Sequence, residues 1–175
     1  QGGKWITVGR KKCSVSTIIN DVLLSDNGWE GKNLNLLIEN YREAPFFDEI
    51  LPFVEKLYKH DCKKMIGFNL NSIKMLLELF DIKIESVFAS SLAVTGQKNE
   101  RLINILNKVG AATYLSGTGS KGYLDPALFE KAGISVVWQN FNHPVYPQLH
   151  GEFIPYLSSI DLLFNCGIEQ SKTII

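Results

Sequence analysis

The sequence predicts an α/β protein with a short, mostly parallel sheet and a layer of helices supplied by its first half. Three observations predict it. Residues 1–80 carry apolar side chains mainly at helical spacing, after one short β-branched run near the start. Residues 81–175 alternate short apolar runs with amphipathic stretches joined by short links. A glycine-rich turn from Ser116 to Gly122 separates one such run from the helix-opening pair Asp125-Pro126, an arrangement that α/β proteins place at the carboxyl ends of their strands, where ligands sit. The expected architecture is Rossmann-like and three-layered, within a single domain spanning 1–175.

In order, Lys4 to Val8 reads as a strand by its apolar, β-branched content. Gly9 breaks it, and Arg10-Lys11-Lys12 is a solvated loop. A second strand is expected around Ile18 to Leu24, followed by a turn at Asp26-Asn27-Gly28. Leu34, Leu37, Ile38 and Tyr41 fall at i, i+3, i+4 and i+7, one face of a helix. Phe47, Ile50, Leu51, Val54, Leu57 and Tyr58 continue the period, with a kink or break expected at Pro52. Leu70, Ile73, Leu77 and Phe80 mark a third helix.

Beyond Asp81 the pattern is strand, helix, strand, helix, strand. Val87-Phe88-Ala89 is the first strand, ending at Ser90-Ser91. Lys98 to Val109 is a helix stopped by Gly110, and Tyr114-Leu115 the next strand. Asp125 to Ala132 is a helix with Asp125 as N-cap and Pro126 at its first position, and Ile134 to Trp138 is the third strand. Short links of this kind imply parallel pairing and right-handed crossovers. Two prolines stiffen the loop from Phe141 to Gly151. Ser158 and Asp161 then have the spacing of a capping box, with Asp161 read as a cap rather than an acid. Gly167 ends that last helix.

Lys and Arg together number 18, as do Asp and Glu, for a net charge of +0, and no basic stripe stands out. Nucleic acid and anionic membrane surfaces are therefore unfavoured as main partners, which leaves a small-molecule substrate. No apolar run is long enough to span a bilayer. Cys13, Cys62 and Cys166 are odd in number and lack metal-finger spacing, which points to reduced thiols in the cytoplasm.

Two groups of residues carry candidate chemistry. The first is the turn, with Ser116, Gly117, Gly119, Lys121 and Tyr123 as its ligand-binding set. Successive backbone amides there can form a nest for an anion, with Lys121 adding positive charge. The turn is not a Walker loop, since Gly122 and Tyr123 follow the lysine, and its helix opens too late for the dinucleotide fingerprint. A tight connection with a solvated lysine accounts for it equally well. The second group follows the third strand. His143 is the candidate general acid or base, because imidazole titrates near neutral pH; the plainer reading is a strand-end cap. Tyr146 and Gln148, with His150, either line a polar pocket or pack their own loop. The two histidines lack a third ligand at a recognisable spacing, so no metal is expected. Cys166, near a helix C-terminus, is a poor nucleophile.

Several stretches, in order along the chain, together resemble the WbqC-like family of bacterial proteins. They are Trp5-Ile6-Thr7-Val8, Asn40-Tyr41-Arg42-Glu43-Ala44-Pro45-Phe46-Phe47, Thr113-Tyr114-Leu115-Ser116-Gly117, Gly122-Tyr123-Leu124-Asp125, Tyr146-Pro147-Gln148, Leu157-Ser158 and Asp161-Leu162-Leu163-Phe164-Asn165-Cys166-Gly167. The resemblance implies a bacterial cytoplasmic protein linked to a surface polysaccharide such as O-antigen. It implies a transferase that adds an acyl or aminoacyl group to a nucleotide-linked amino sugar. Family members usually carry an earlier segment with a strand and a His-Gln-Pro-type motif, so the resemblance also implies an N-terminally truncated member, active as an enzyme only with that segment.

Two functional classes follow. In an enzyme, a phosphate of a nucleotide sugar or phosphopantetheine-type donor sits on the Ser116–Gly122 turn. His143 acts as base toward a sugar amine or hydroxyl, and Tyr146 and Gln148 orient the acceptor. The donor is a substrate rather than a tightly bound cofactor, and an acyl carrier protein is a candidate partner. The alternative is a non-catalytic sugar-nucleotide or phosphate-binding or scaffold module of a biosynthetic complex.

Overall fold

The computed structural model describes residues 3–175. Among them are six α-helices and two strands. In chain order these are α1 (Trp29–Tyr41), α2 (Phe47–Tyr58), α3 (Met65–Leu79), α4 (Lys98–Lys108), β1 (Thr113–Ser116), α5 (Pro126–Lys131), β2 (Ser135–Trp138) and α6 (Ser159–Ile174). The chain divides into two compact units. One joins the chain up to Lys83 with His143–Ile175; the other is Ile84–Asn142. The α/β class expected from the sequence stands.

The first unit is helical. Ile50 and Val54 of α2 and Leu163 and Phe164 of α6 are fully buried at its centre. Tyr41 at the end of α1 stacks on Phe164, with centroids 4.6 Å apart and planes 10° from parallel. A second cluster gathers Leu24, Trp29, Leu57 and Phe68, with Trp29 edge-on to Phe68 at 5.1 Å. Helix α2 runs unbroken through Pro52. Pro52 is exposed, and so is Asp48, whose carbonyl loses its partner, so water can take the lost bond.

Helix α6 begins where its sequence says it should, with the Ile160 amide donating to Ser158 Oγ at 3.4 Å. It kinks at Gly167, which adopts φ 71° and ψ 175°, a conformation essentially confined to glycine. The interruption frees carbonyls, and neighbours use them: the Phe46 amide donates to Phe164 O at 3.1 Å and Ser171 Oγ to Leu162 O at 3.4 Å.

The second unit holds the parallel pair β1 and β2, in register from Thr113 opposite Ser135 to Ser116 opposite Trp138. Its core is Leu124, Phe129 and Ile134, with Tyr114 stacked on Phe129 at 5.5 Å and α4 contributing Leu102 and Leu106. Asp125 caps α5 through the Ala127 amide, 3.1 Å, with Pro126 at the first helical position. Alternate residues Leu115 and Val137 point the other way and are 63% and 46% exposed.

Three expected strands are not formed. Residues 4–8 are irregular, and beyond them Arg10 makes only a single antiparallel bridge to Leu24. Residues 18–24 form a 3₁₀ turn, Ile19–Asp21, and isolated bridges at Leu23 and Leu24. Val87-Phe88 is irregular and leads into a 3₁₀ turn, Ala89–Leu92. The reason is common to all three. Apolar, β-branched content favours a strand only where a neighbour pairs with it and buries one face, and Trp5, Ile18, Val87 and Phe88 are all exposed.

Candidate ligand-binding site

Among its described residues the first unit buries one carboxylate, Asp161, in the first turn of α6 and only 5% exposed. Its carboxylate collects three side-chain donors. Tyr41 donates to Oδ1 at 2.8 Å; Tyr146 and Gln148 Nε2 donate to Oδ2 at 2.9 and 3.0 Å. Local sequence explains the arrangement. Ile160 and Leu162 to Phe164 surround Asp161 with apolar neighbours, so the helix buries nearly all round and carries the carboxylate in with it. Expecting Asp161 to act as a cap is thus corrected: Ser158 does the capping, and the acid faces Tyr41, Tyr146 and Gln148.

Gln148 is held at both ends of its amide. Its Oε1 accepts from the Ile154 amide at 2.7 Å, and its Nε2 also donates to Ile154 O at 3.0 Å. This closes the loop across residues 148–154 and fixes which end of the amide faces Asp161. The Tyr146 phenol is pushed up to about 12, chiefly by burial, with the bond to Asp161 and its charge adding and the Gln148 bond opposing. Tyr41 moves in the same direction, by burial first and by Asp161 second. The Cys166 thiol is raised by burial and then by the Asp161 charge, which accords with its reading as a poor nucleophile.

Asp161 opens onto a cavity of about 610 Å³, within the range of roughly 300–1,000 Å³ typical of small-molecule sites. Asn40, Tyr41, Gln148, His150 and Asp161 give it polar groups; Trp5, Leu36, Tyr58, Leu149 and Tyr156 give it apolar faces. His150 Nε2 donates to the Asn40 carbonyl at 2.8 Å. Trp5 lines the cavity although it is 93% exposed. Tyr156 is 76% exposed and holds φ 61°, a left-handed conformation that is strained for a non-glycine residue.

His143 does not line this cavity but packs edge-on against Tyr156, which does, with centroids 5.1 Å apart. It also lies near Tyr146 and Phe153. His143 Nδ1 is 2.8 Å from Pro144 O. A carbonyl only accepts, so Nδ1 carries the hydrogen of this bond.

The remaining predicted residues, Ser116, Gly117, Gly119, Lys121 and Tyr123, belong to the second unit. Their turn winds into a 3₁₀ segment, Thr118–Ser120. The Ser120 amide donates to Gly117 O, that of Lys121 to Thr118 O, and those of Tyr123 and Leu124 to Ser120 O. Ser116 and Ser120 are buried, their hydroxyls 2.6 Å apart. Lys121 Nζ lies 5.5 Å from the centre of the Trp138 ring, and the Tyr123 carbonyl accepts from Asn99 at 3.3 Å. The structure therefore brings Tyr146 and Gln148 together on one carboxylate, sets His143 beside Tyr146, and groups the turn residues with Trp138.

Two members of the site, Tyr41 and Asp161, lie outside the candidate site residues read from sequence, where Asp161 is taken as a cap. Tyr41 reads as the last position of an apolar helical face. The available signal was the placing of Asp161, an acid flanked on both sides by apolar residues with no polar face to turn to.

Fold and site together define an α/β protein with a buried carboxylate beneath a cavity of small-molecule size. The chain belongs to the WbqC-like protein family, whose model matches residues 1–173. It is 28% identical over 172 residues to Uncharacterized protein Rv1507c of Mycobacterium tuberculosis, an alignment that covers 97% of this chain and 74% of that protein. No solved structure matches the chain. Among the described residues, no helix is long and apolar enough to cross a membrane.

Proposed function

We propose that the protein is a cytoplasmic transferase of surface-polysaccharide assembly that moves an acyl or aminoacyl group onto a nucleotide-linked amino sugar. The observation that carries this reading is the Asp161 cavity. A sugar needs hydrogen-bonding groups for its edges and apolar faces for its C–H surfaces, and this cavity offers both. Family membership supports the same direction.

In this mechanism the sugar amine attacks the acyl carbonyl of a thioester donor. The new C–N bond forms, the C–S bond breaks, and the thiol leaves. His143, packed against the cavity-lining Tyr156, takes the amine proton and returns it to the departing thiolate. Gln148 orients the acceptor, and Tyr41 and Tyr146 hold Asp161 in place from Oδ1 and Oδ2. The donor arrives free or on an acyl carrier protein.

The test is to incubate the protein with nucleotide-linked amino sugars and acyl thioesters and to follow product mass. The expected product gains one acyl group, and His143→Ala abolishes turnover while sparing binding of the sugar. Binding without any product would instead favour a non-catalytic module.

A further inference from the structure

Asp161 poses a charge problem. It is 5% exposed, yet among the described residues no lysine, arginine or histidine forms an ion pair with it. Its donors, two phenols and an amide, are all neutral. Buried carboxylates are normally matched by a positive charge because desolvating them is costly. A carboxylate offers about four lone-pair sites. Three are used, and Oδ1 holds only the Tyr41 hydroxyl among the described residues.

The walls of the cavity make the same demand. Trp5, Tyr41, Tyr58 and Tyr156 all line it, and aromatic faces attract a cation placed within about 6 Å. Lys4 lines it too, but it is exposed and makes no ion pair with Asp161. A buried acid with no cation paired to it among the described residues, and several rings, form a seat for a positive charge brought by a ligand.

We infer that this cavity binds a primary ammonium carried on a body with an apolar face, the ammonium on Asp161 Oδ1 and the body against the rings. The inference rests on the reading of the cavity as the acceptor's site and narrows it: the acceptor arrives protonated, and a phosphate, which Asp161 repels, is held elsewhere.

The test is calorimetric titration of the whole protein with glucosamine, glucose and inorganic phosphate, at a slightly acidic pH where the amine is charged. Glucosamine should bind at least about tenfold more tightly than glucose, because a charge-assisted hydrogen bond is roughly twice as strong as a neutral one. Phosphate should not compete. Asp161→Asn should bring the ratio near one. Tyr41→Phe, which removes a neutral donor and leaves the carboxylate, should keep or widen it. Cyclohexylammonium, a cation on an apolar ring without sugar hydroxyls, should displace glucosamine from the unaltered protein, a result that needs no variant to fold. Equal binding of the two sugars, binding of neither, a preference that survives Asp161→Asn, or no displacement by cyclohexylammonium would each overturn the inference. Glucosamine binding without acyl transfer counts against the reaction alone; transfer without ammonium preference counts against the seat alone.

Discussion

The Tyr41 hydroxyl donates to Asp161 Oδ1 across 2.8 Å, although the two residues stand 120 positions apart in the chain. The bond ties the end of α1 to the start of α6, beside the stacking of Tyr41 on Phe164. Tyr41→Phe keeps that stacking and removes only the bond. Stability should fall by about 1.5–3 kcal/mol, the usual contribution of a hydrogen bond to a charged group. Asp161→Ala should cost more, because it orphans two phenols and an amide at once. In urea denaturation the double variant should lose less than the sum of the singles, since the two residues share one interaction. Additive losses would mean the bond contributes nothing of its own.

Alkaline pH should weaken the first unit through the same phenols. Tyr146 rises from 10.0 to about 12 in the folded protein, by burial and then by Asp161. A folded-state value above the unfolded one means that the native state holds its proton longer. The stabilisation is complete below about pH 10 and is lost as pH climbs through about 12. Tyr41 and Tyr58 shift in the same direction, both mainly by burial. Denaturation midpoints should therefore drop steadily above about pH 10, and Tyr146→Phe should make the decline shallower. An unchanged slope in that variant would remove Tyr146 from the account.

The legible parts of this chain were those that local physics decides. The period of Leu34, Leu37, Ile38 and Tyr41 gave α1, and Asp125 and Pro126 gave the start of α5. Gly167 was legible as a breaker but not as a kink, because the chain resumes its helix beyond it. Strands failed where pairing was needed: Val87 and Phe88 have strand-like side chains, but neither pairs. The site was half legible. Tyr146 and Gln148 stand out as polar residues in a proline-stiffened loop. Tyr41 and Asp161 join them only through tertiary packing, which no spacing along one helix encodes.

Gly167 should be among the least replaceable residues. A Cβ there would lie 2.5 Å from Phe46 Cδ1 and 2.9 Å from Glu49 Oε2, on a backbone at φ 71° and ψ 175°. Both overpacking and strain apply, so Gly167→Ala should cost upwards of about 3 kcal/mol. Gly133 is the control, with φ 77° and nothing within 4 Å of where a Cβ would stand. Gly133→Ala should cost only about 1–2 kcal/mol, the strain of a left-handed alanine. Thermal unfolding of the two variants side by side separates the contributions; equal losses would show that Phe46 moves aside freely.

Tyr156 should trade stability against binding. Its left-handed backbone, φ 61°, costs about 1–3 kcal/mol unless surroundings compensate. Its ring is largely exposed, touches His143 edge-on at 5.1 Å and lines the cavity. Little burial offsets that strain, so a functional constraint is the better account of a tyrosine here. Tyr156→Gly relieves the backbone but also frees the unfolded chain, so its melting temperature should stay within a few degrees of the unaltered protein. Ligand affinity should nevertheless fall by about tenfold, the loss of one aromatic wall. A variant that binds as tightly as the unaltered protein would remove Tyr156 from the site, and one that unfolds would make its ring a packing element instead.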